Sequence, residues 1–134
     1  MIYVDTGAFL ARYCASDQYH HRALKAWKKI EKEERRCFTS NFVLDETLTL
    51  LARRTDYRFA AARGQAIYAS SRLEIVRPDY TDEVAALALF TKYADQQVSF
   101  TDCVSFVLMR NHKLKTTFSF DDHFTYAGFQ RWPA

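Results

Sequence analysis

Glycine and proline are scarce here, at three and two residues in 134. So few leave little room for long irregular loops. No glycine-rich phosphate loop can be read, which argues against nucleotide binding of the P-loop or dinucleotide type. Cysteine is sparse as well. Cys14, Cys37 and Cys103 are odd in number and far apart, with neither a zinc spacing nor a disulfide framework. Reduced thiols in a cytoplasmic protein are expected. No apolar run approaches the ~18 residues of a membrane span; the longest candidate is Val84–Phe90. The chain opens directly on a strand-like run without a basic leader or cleavage site, so no signal peptide is expected. His20 and His21 are adjacent, His112 is isolated, and none forms an HxxxH pair that would hold zinc. There is no G-x-S-x-G motif and no convincing Cys/His pairing for nucleophilic catalysis.

What is present is enough apolar material for one domain spanning residues 1–134: 49% of the residues are apolar or aromatic, and the length suits a single sizeable core. The net charge of +3 decides little, but its distribution is uneven. His20–Arg36 carries seven Lys/Arg against three Glu, a local charge of +4, and Arg53–Arg72 carries five Arg against Asp56, again +4. Asp79–Asp102 has five acids against Lys92, or −4. Basic flanks around an acidic centre suit a polyanionic substrate held over metal ions, although solvated helix faces would give the same composition.

The hydrophobic pattern alternates between strand and helix. Ile2–Asp5, Cys37–Thr39, Leu73–Val76 and Thr116–Phe118 read as strands, with a short last one over Phe129–Trp132. Helices are predicted over Thr6–Cys14, Asp17–Lys32, Asp56–Ser70, Asp79–Tyr93 and Asp102–Asn111. Another should run from an N-cap at Ser40 or Asn41 to Arg53. Thr81 and Asp82 are available as cap and first-turn acid of the fifth. Strands alternating with helices indicate an α/β fold around a mainly parallel sheet.

Four carboxylates sit at the margins of apolar segments: Asp5 after Met1–Val4, Glu46 inside Phe42–Leu51, Asp102 before Cys103–Met109, and Asp121 after Thr116–Phe120. A buried carboxylate is costly unless a cation compensates it. None of the four has an obvious basic neighbour in sequence, which suggests a divalent metal site. Asp5 stands at the carboxyl end of a strand, where open parallel sheets bind ligands, though capping of the next helix would also explain it. On the third helix Glu46 shares a stripe with Phe42, Val43 and Leu50, whereas Asp45 faces the more polar Asn41, Leu48, Thr49 and Ala52. Glu46 is therefore expected to point inward. Asp102 would be favoured at a helix start by the helix dipole alone, and either of Asp121 and Asp122 could face a site. Oxygen donors select Mg²⁺ or Mn²⁺ over zinc, and a carboxylate-held metal suits phosphodiester hydrolysis.

The chain resembles the PIN-domain nucleases, and within them the VapC-like toxin ribonucleases. The resemblance is carried by Tyr3–Ala11, Asp17–His20 with Ala23, Thr39–Thr47, Ser99–Cys103, and Thr117–Phe124 with Ala127–Phe129. It implies a three-layer α/β/α fold and an Mg²⁺- or Mn²⁺-dependent endoribonuclease. The family's acids fall on Asp5, Glu46, Asp102 and, two residues before a His-Phe pair, Asp121 rather than Asp122. Asp5 and Asp102 would be the principal metal ligands, with Glu46 and Asp121 completing the cluster. Thr101 and Asn41 would support the ligands, and Thr6 would add backbone contacts. Asp17 and His20 would support the second helix. The resemblance also implies a homodimer and a small antitoxin whose tail enters the active-site groove. An RNA-processing nuclease without an antitoxin, and a silent RNA-binding or scaffold module, are the alternatives. A phosphoacceptor receiver domain fits less well, because Asp5 is followed by Thr6 and the third strand ends in Arg77-Pro78.

Overall fold

A computed structural model describes all 134 residues. Its core is a five-stranded sheet: β1 (Ile2–Val4), β2 (Cys37–Ser40), β3 (Leu73–Val76), β4 (Thr116–Phe118) and β5 (Gln130–Trp132). The strand order is β3-β2-β1-β4-β5, and every pairing is parallel, so the sheet is wholly rather than mainly parallel. Burial on both faces accounts for the continuous apolar strands Ile2–Val4 and Cys37–Phe38. Seven helices flank the sheet: α1 (Thr6–Tyr13), α2 (His20–Lys32), α3 (Asn41–Arg54), α4 (Tyr57–Ala69), α5 (Tyr80–Lys92), α6 (Phe100–Asn111) and the short α7 (His123–Tyr126). A main core cluster ties them to the strands, with Tyr3, Phe9, Phe106 and Phe118 almost fully buried. No helix is long and apolar enough to cross a membrane.

Parallel pairing puts the carboxyl ends of all strands on one edge. The chain leaves β1 toward β2 and β3 on one side, while β4 and β5 lie on the other. The crevice at such a reversal of strand order is where open parallel sheets bind ligands. Register places Val4 beside Phe118, so Asp5 and Ser119 emerge next to each other at that point.

Three helix starts depart from the sequence pattern, one because a turn precedes the helix and two because a different polar side chain takes the cap. α2 begins at His20 rather than Asp17: the Asp17 carboxylate accepts the Tyr19 N–H at 2.8 Å, closing a turn before the helix starts. α5 is capped by Asp79, not Thr81, in a reciprocal capping box with Asp82. α6 begins at Phe100 under a Ser99 cap, so Asp102 is its third residue and not its first. The cap of α3 is Ser40, which accepts the Val43 N–H at 3.1 Å. A turn of 3₁₀ helix over Ala94–Gln96 and the helix α7 have no counterpart in the sequence pattern.

Candidate active site

Asp5 follows β1 and occupies the N-cap position of α1, yet its side chain makes no capping bond. Its carboxylate instead accepts the Ser119 hydroxyl at 2.9 Å. The same Ser119 Oγ accepts the Asp121 N–H at 3.0 Å, so one hydroxyl fixes one acid directly and sets the backbone of a second. Asp121 then accepts the His123 N–H at 2.9 Å, folding the loop after β4 back over the edge of the sheet. Asp102 reaches the same place from the first turn of α6, and the imidazole of His123 stands between the two acids. Its Nδ1 is 3.2 Å from Asp121 Oδ1 and 3.5 Å from Asp102 Oδ2.

Glu46 arrives from the second turn of α3. It is half-buried where its neighbour Asp45 is exposed, as the helical spacing predicts. Asp5, Glu46, Asp102 and Asp121 line one cleft of about 440 Å³. Asp122 turns away: its side chain is 87% exposed and pairs with Arg131 at 3.1 Å, whereas Asp121 is 38% exposed. A smaller cavity of about 250 Å³ lies elsewhere, among Phe9, Trp27, Ile67 and Leu73. Its one carboxylate, Glu31, is already paired with Arg12.

The electrostatics of the cleft oppose ionisation of its buried acids. Asp5 and Asp102 are both buried. Burial, first, raises the proton affinity of each carboxyl far above the usual carboxylate range. The charges of neighbouring acids raise it further: Asp121 and Glu46 act on Asp5, and Asp5 and Asp121 on Asp102. The Ser119 hydroxyl pulls Asp5 the other way. Beneath them Tyr3, buried and bonded to Ser105 Oγ at 2.8 Å, has its phenol pushed up by desolvation. Arg54, the cation lining the cleft, pairs with Asp17 at 3.8 Å and not with the cluster.

The residues present fit a divalent cation. Ligand atoms of Asp102, Asp121 and His123 all lie within 4.8 Å of one another. His123 Nδ1 and the hydroxyl of Thr6, which also lines the cleft, are buried without a hydrogen-bond partner. A donor set dominated by carboxylates, with unpaired polar atoms around it, matches a hard divalent cation. The acidic cluster is therefore a candidate metal centre.

A PIN-domain family model matches residues 2–130, nearly the whole chain. The chain belongs to the PIN-domain family. Within it, this chain is a VapC-type endoribonuclease of the toxin–antitoxin class. It is 36% identical to the 23S rRNA-specific endonuclease VapC20 of Mycobacterium tuberculosis, over 96% of this chain and 95% of that one. It is 32% identical to a VapC ribonuclease of Archaeoglobus fulgidus, over 91% of this chain and 78% of the relative. The crystal structure of Mycobacterium tuberculosis VapC20, described as a toxin that cleaves the sarcin–ricin loop, superposes with a TM-score of 0.88 at 32% identity. That match covers 96% of each chain.

In this PIN domain two residues of the site escaped the sequence reading. Ser119 lies within the family-like segment Thr117–Phe124, but its bond to Asp5 spans 114 residues. His123 gave no metal-binding spacing; only the turn at Asp121 brings it to Asp102. Of the proposed supporting residues, Thr6 lines the cleft, Asn41 holds a buried unpaired Oδ1 outside it, and Thr101 does not line it. Ser99 takes the place expected of Thr101. Asp17 and His20 support α2 as expected: Asp17 through its turn with Tyr19, and His20 through Nδ1 at 2.7 Å from the Ala11 carbonyl.

Ser119→Ala removes the bond that orients Asp5 without touching the cluster's charge. Loss of such an outer partner costs about 10–100-fold in metal affinity or activity. Rates of RNA cleavage by the variant are expected to fall within that range, with an unchanged circular dichroism spectrum. An undiminished rate would remove Ser119 from the site.

Proposed function

We propose that Asp5 and Asp102 hold Mg²⁺ or Mn²⁺, with Glu46 and Asp121 completing the charge cluster, for hydrolysis of RNA phosphodiester bonds. The observation that carries this reading is the convergence of four carboxylates, drawn from the end of β1, α3, α6 and the loop after β4, on one cleft whose lining arginine, Arg54, pairs with Asp17 instead. A divalent ion bound there would polarise the scissile phosphate and lower the pKa of attacking water. The protein's part is positioning. Ser119 holds Asp5, the Ser99 cap fixes the first turn of α6 under Asp102, and the Asp121–His123 turn keeps Asp121 over the cleft. Glu46 and Asp121, both half-exposed in the cleft, are the acids open to the attacking water.

Ribosomal RNA is the substrate class we infer, since VapC20 of Mycobacterium tuberculosis is specific for 23S rRNA and matches almost end to end. A ribosomal target places the enzyme in the cytoplasm. A cognate antitoxin and a homodimer complete the proposal. Tyr80, Val84, Leu87 and Phe90 expose an apolar stripe along α5 that is available for such an interface.

Incubating the purified chain with total RNA tests the activity directly. Cuts are expected in ribosomal RNA with Mg²⁺ or Mn²⁺, and none in EDTA. Equal cleavage in EDTA would sink the metal assignment, and cuts confined to transfer or messenger RNA would sink the substrate assignment.

A further inference from the structure

The acid cleft by itself repels RNA, because four carboxylates meet a polyanion there. Something adjacent must hold the strand. Next to the cleft lies a pocket of about 430 Å³, and Tyr19 and Phe120 line both. Their rings are stacked, with centroids 4.5 Å apart and planes 4° from parallel. The Arg22 guanidinium lies 5.4 Å from the Phe120 centroid and 5.8 Å from that of Tyr19.

This arrangement is fixed by the same turns that build the site. Phe120 stands between Ser119 and Asp121, both committed to the acid cluster. Phe118 packs beneath it, ring centroids 5.9 Å apart. Tyr19 is pinned by the Asp17 carboxylate immediately before α2. Both aromatic residues remain half-buried, and Arg22 is exposed. Core packing explains the side of Phe120 that meets Phe118, but not a cation held over the outer pair. Nor is that cation neutralised: Arg22 belongs to none of the lysine or arginine ion pairs in the molecule, whereas Arg131 across the pocket is tied to Asp122 and Thr125. The outer face of a stacked aromatic pair beside an unpaired arginine suits an unstacked nucleotide. The base finds a π-face and the phosphate a charge.

We propose that Tyr19, Phe120 and Arg22 form a subsite for an unpaired nucleotide flanking the scissile phosphate, its base on the aromatic platform and its phosphate on Arg22. The subsite rests on the nuclease reading of the acid cluster. It gives that site a preference for RNA whose bases are splayed out near the cut, since a base held in a duplex cannot reach the platform.

The test uses the full chain and a short unpaired RNA carrying 5-iodouridine. Photo-crosslinking in EDTA, where the RNA stays intact, is expected to mark Tyr19 or Phe120. Tyr19→Leu is expected to weaken binding of the same RNA roughly five- to a hundredfold, the range for losing one base–aromatic stack. Arg22→Ala, on an exposed side chain that leaves the fold alone, is expected to lower the slope of log affinity against log salt by about 0.7, the effect of one lost phosphate contact on a single strand. In Mn²⁺ both variants should raise KM with kcat little changed. Crosslinks elsewhere, together with unchanged affinity and salt slope in both variants, would overturn the subsite while wild-type cleavage leaves the nuclease reading standing. Absence of wild-type cleavage would overturn the nuclease reading, and the crosslinks would still judge the subsite.

Discussion

Asp102→Asn is expected to lower RNA cleavage at least about a hundredfold while making the metal-free protein more stable at neutral pH. A direct metal ligand should count for at least the upper end of the roughly 10–100-fold loss usual for residues one layer behind it. The stability gain has a separate cause. Asp102 is 94% buried by side-chain and backbone area together, since only 6% of its surface is exposed. Its ionisation is opposed by burial and by the charges of Asp5 and Asp121. An amide keeps the shape, occupies the same place in the first turn of α6 and carries no charge. Opposed effects on activity and stability identify a residue kept for chemistry rather than for folding. Cleavage assays paired with thermal melts in EDTA decide the matter. An active Asp102→Asn variant would sink the metal-ligand assignment, and an active variant that is also less stable would make Asp102 a structural residue.

Divalent metal should reverse a pH-dependent weakness of the free protein. Asp5 and Asp102 both have folded-state proton affinities above those of the unfolded chain. Between about pH 4, where an ordinary carboxylate ionises, and neutrality or above, the folded protein therefore binds more protons than the unfolded one. Stability must then fall as pH rises through that window. A bound cation replaces those protons. Mn²⁺ at a hundred times its dissociation constant adds about 2.7 kcal/mol, equivalent to roughly 10 °C in Tm for a domain of this size. The gain should be larger at pH 8 than at pH 5, where protons compete. It should be absent in Asp102→Asn. Melting curves with Mn²⁺ and with EDTA across this range measure it directly. A metal-induced shift independent of pH would show that the ion binds away from these acids.

Much of this architecture is legible in the residues because the relevant signals are local. Leu73–Val76 and Thr116–Phe118 are strands because short runs of apolar and β-branched residues between polar turns favour extended backbone, and the structure has both with the expected ends. Glu46 separates from Asp45 because 3.6-residue periodicity alone tells which face of α3 is apolar. Helix starts are less legible, since several side chains near each start are chemically able to cap it. Asp79 and Thr81, or Ser99 and Thr101, differ only in which one the incoming chain brings to extended backbone. Asp17 looks like the start of α2 for the same reason; its carboxylate caps a turn and not the helix.

By itself, then, the sequence determined the alternation of strands and helices, the parallel sheet, and four carboxylates placed where burial would make them costly. Tertiary structure decided that those carboxylates line one cleft. It brought Ser119 against Asp5 across 114 residues, stood His123 between Asp102 and Asp121, and stacked Tyr19 on Phe120. The physical reason is one of range. Backbone preference and hydrophobic periodicity act within a turn or a strand. A hydrogen bond or a ring stack between distant residues exists only after parallel register has put the ends of β1 and β4 side by side.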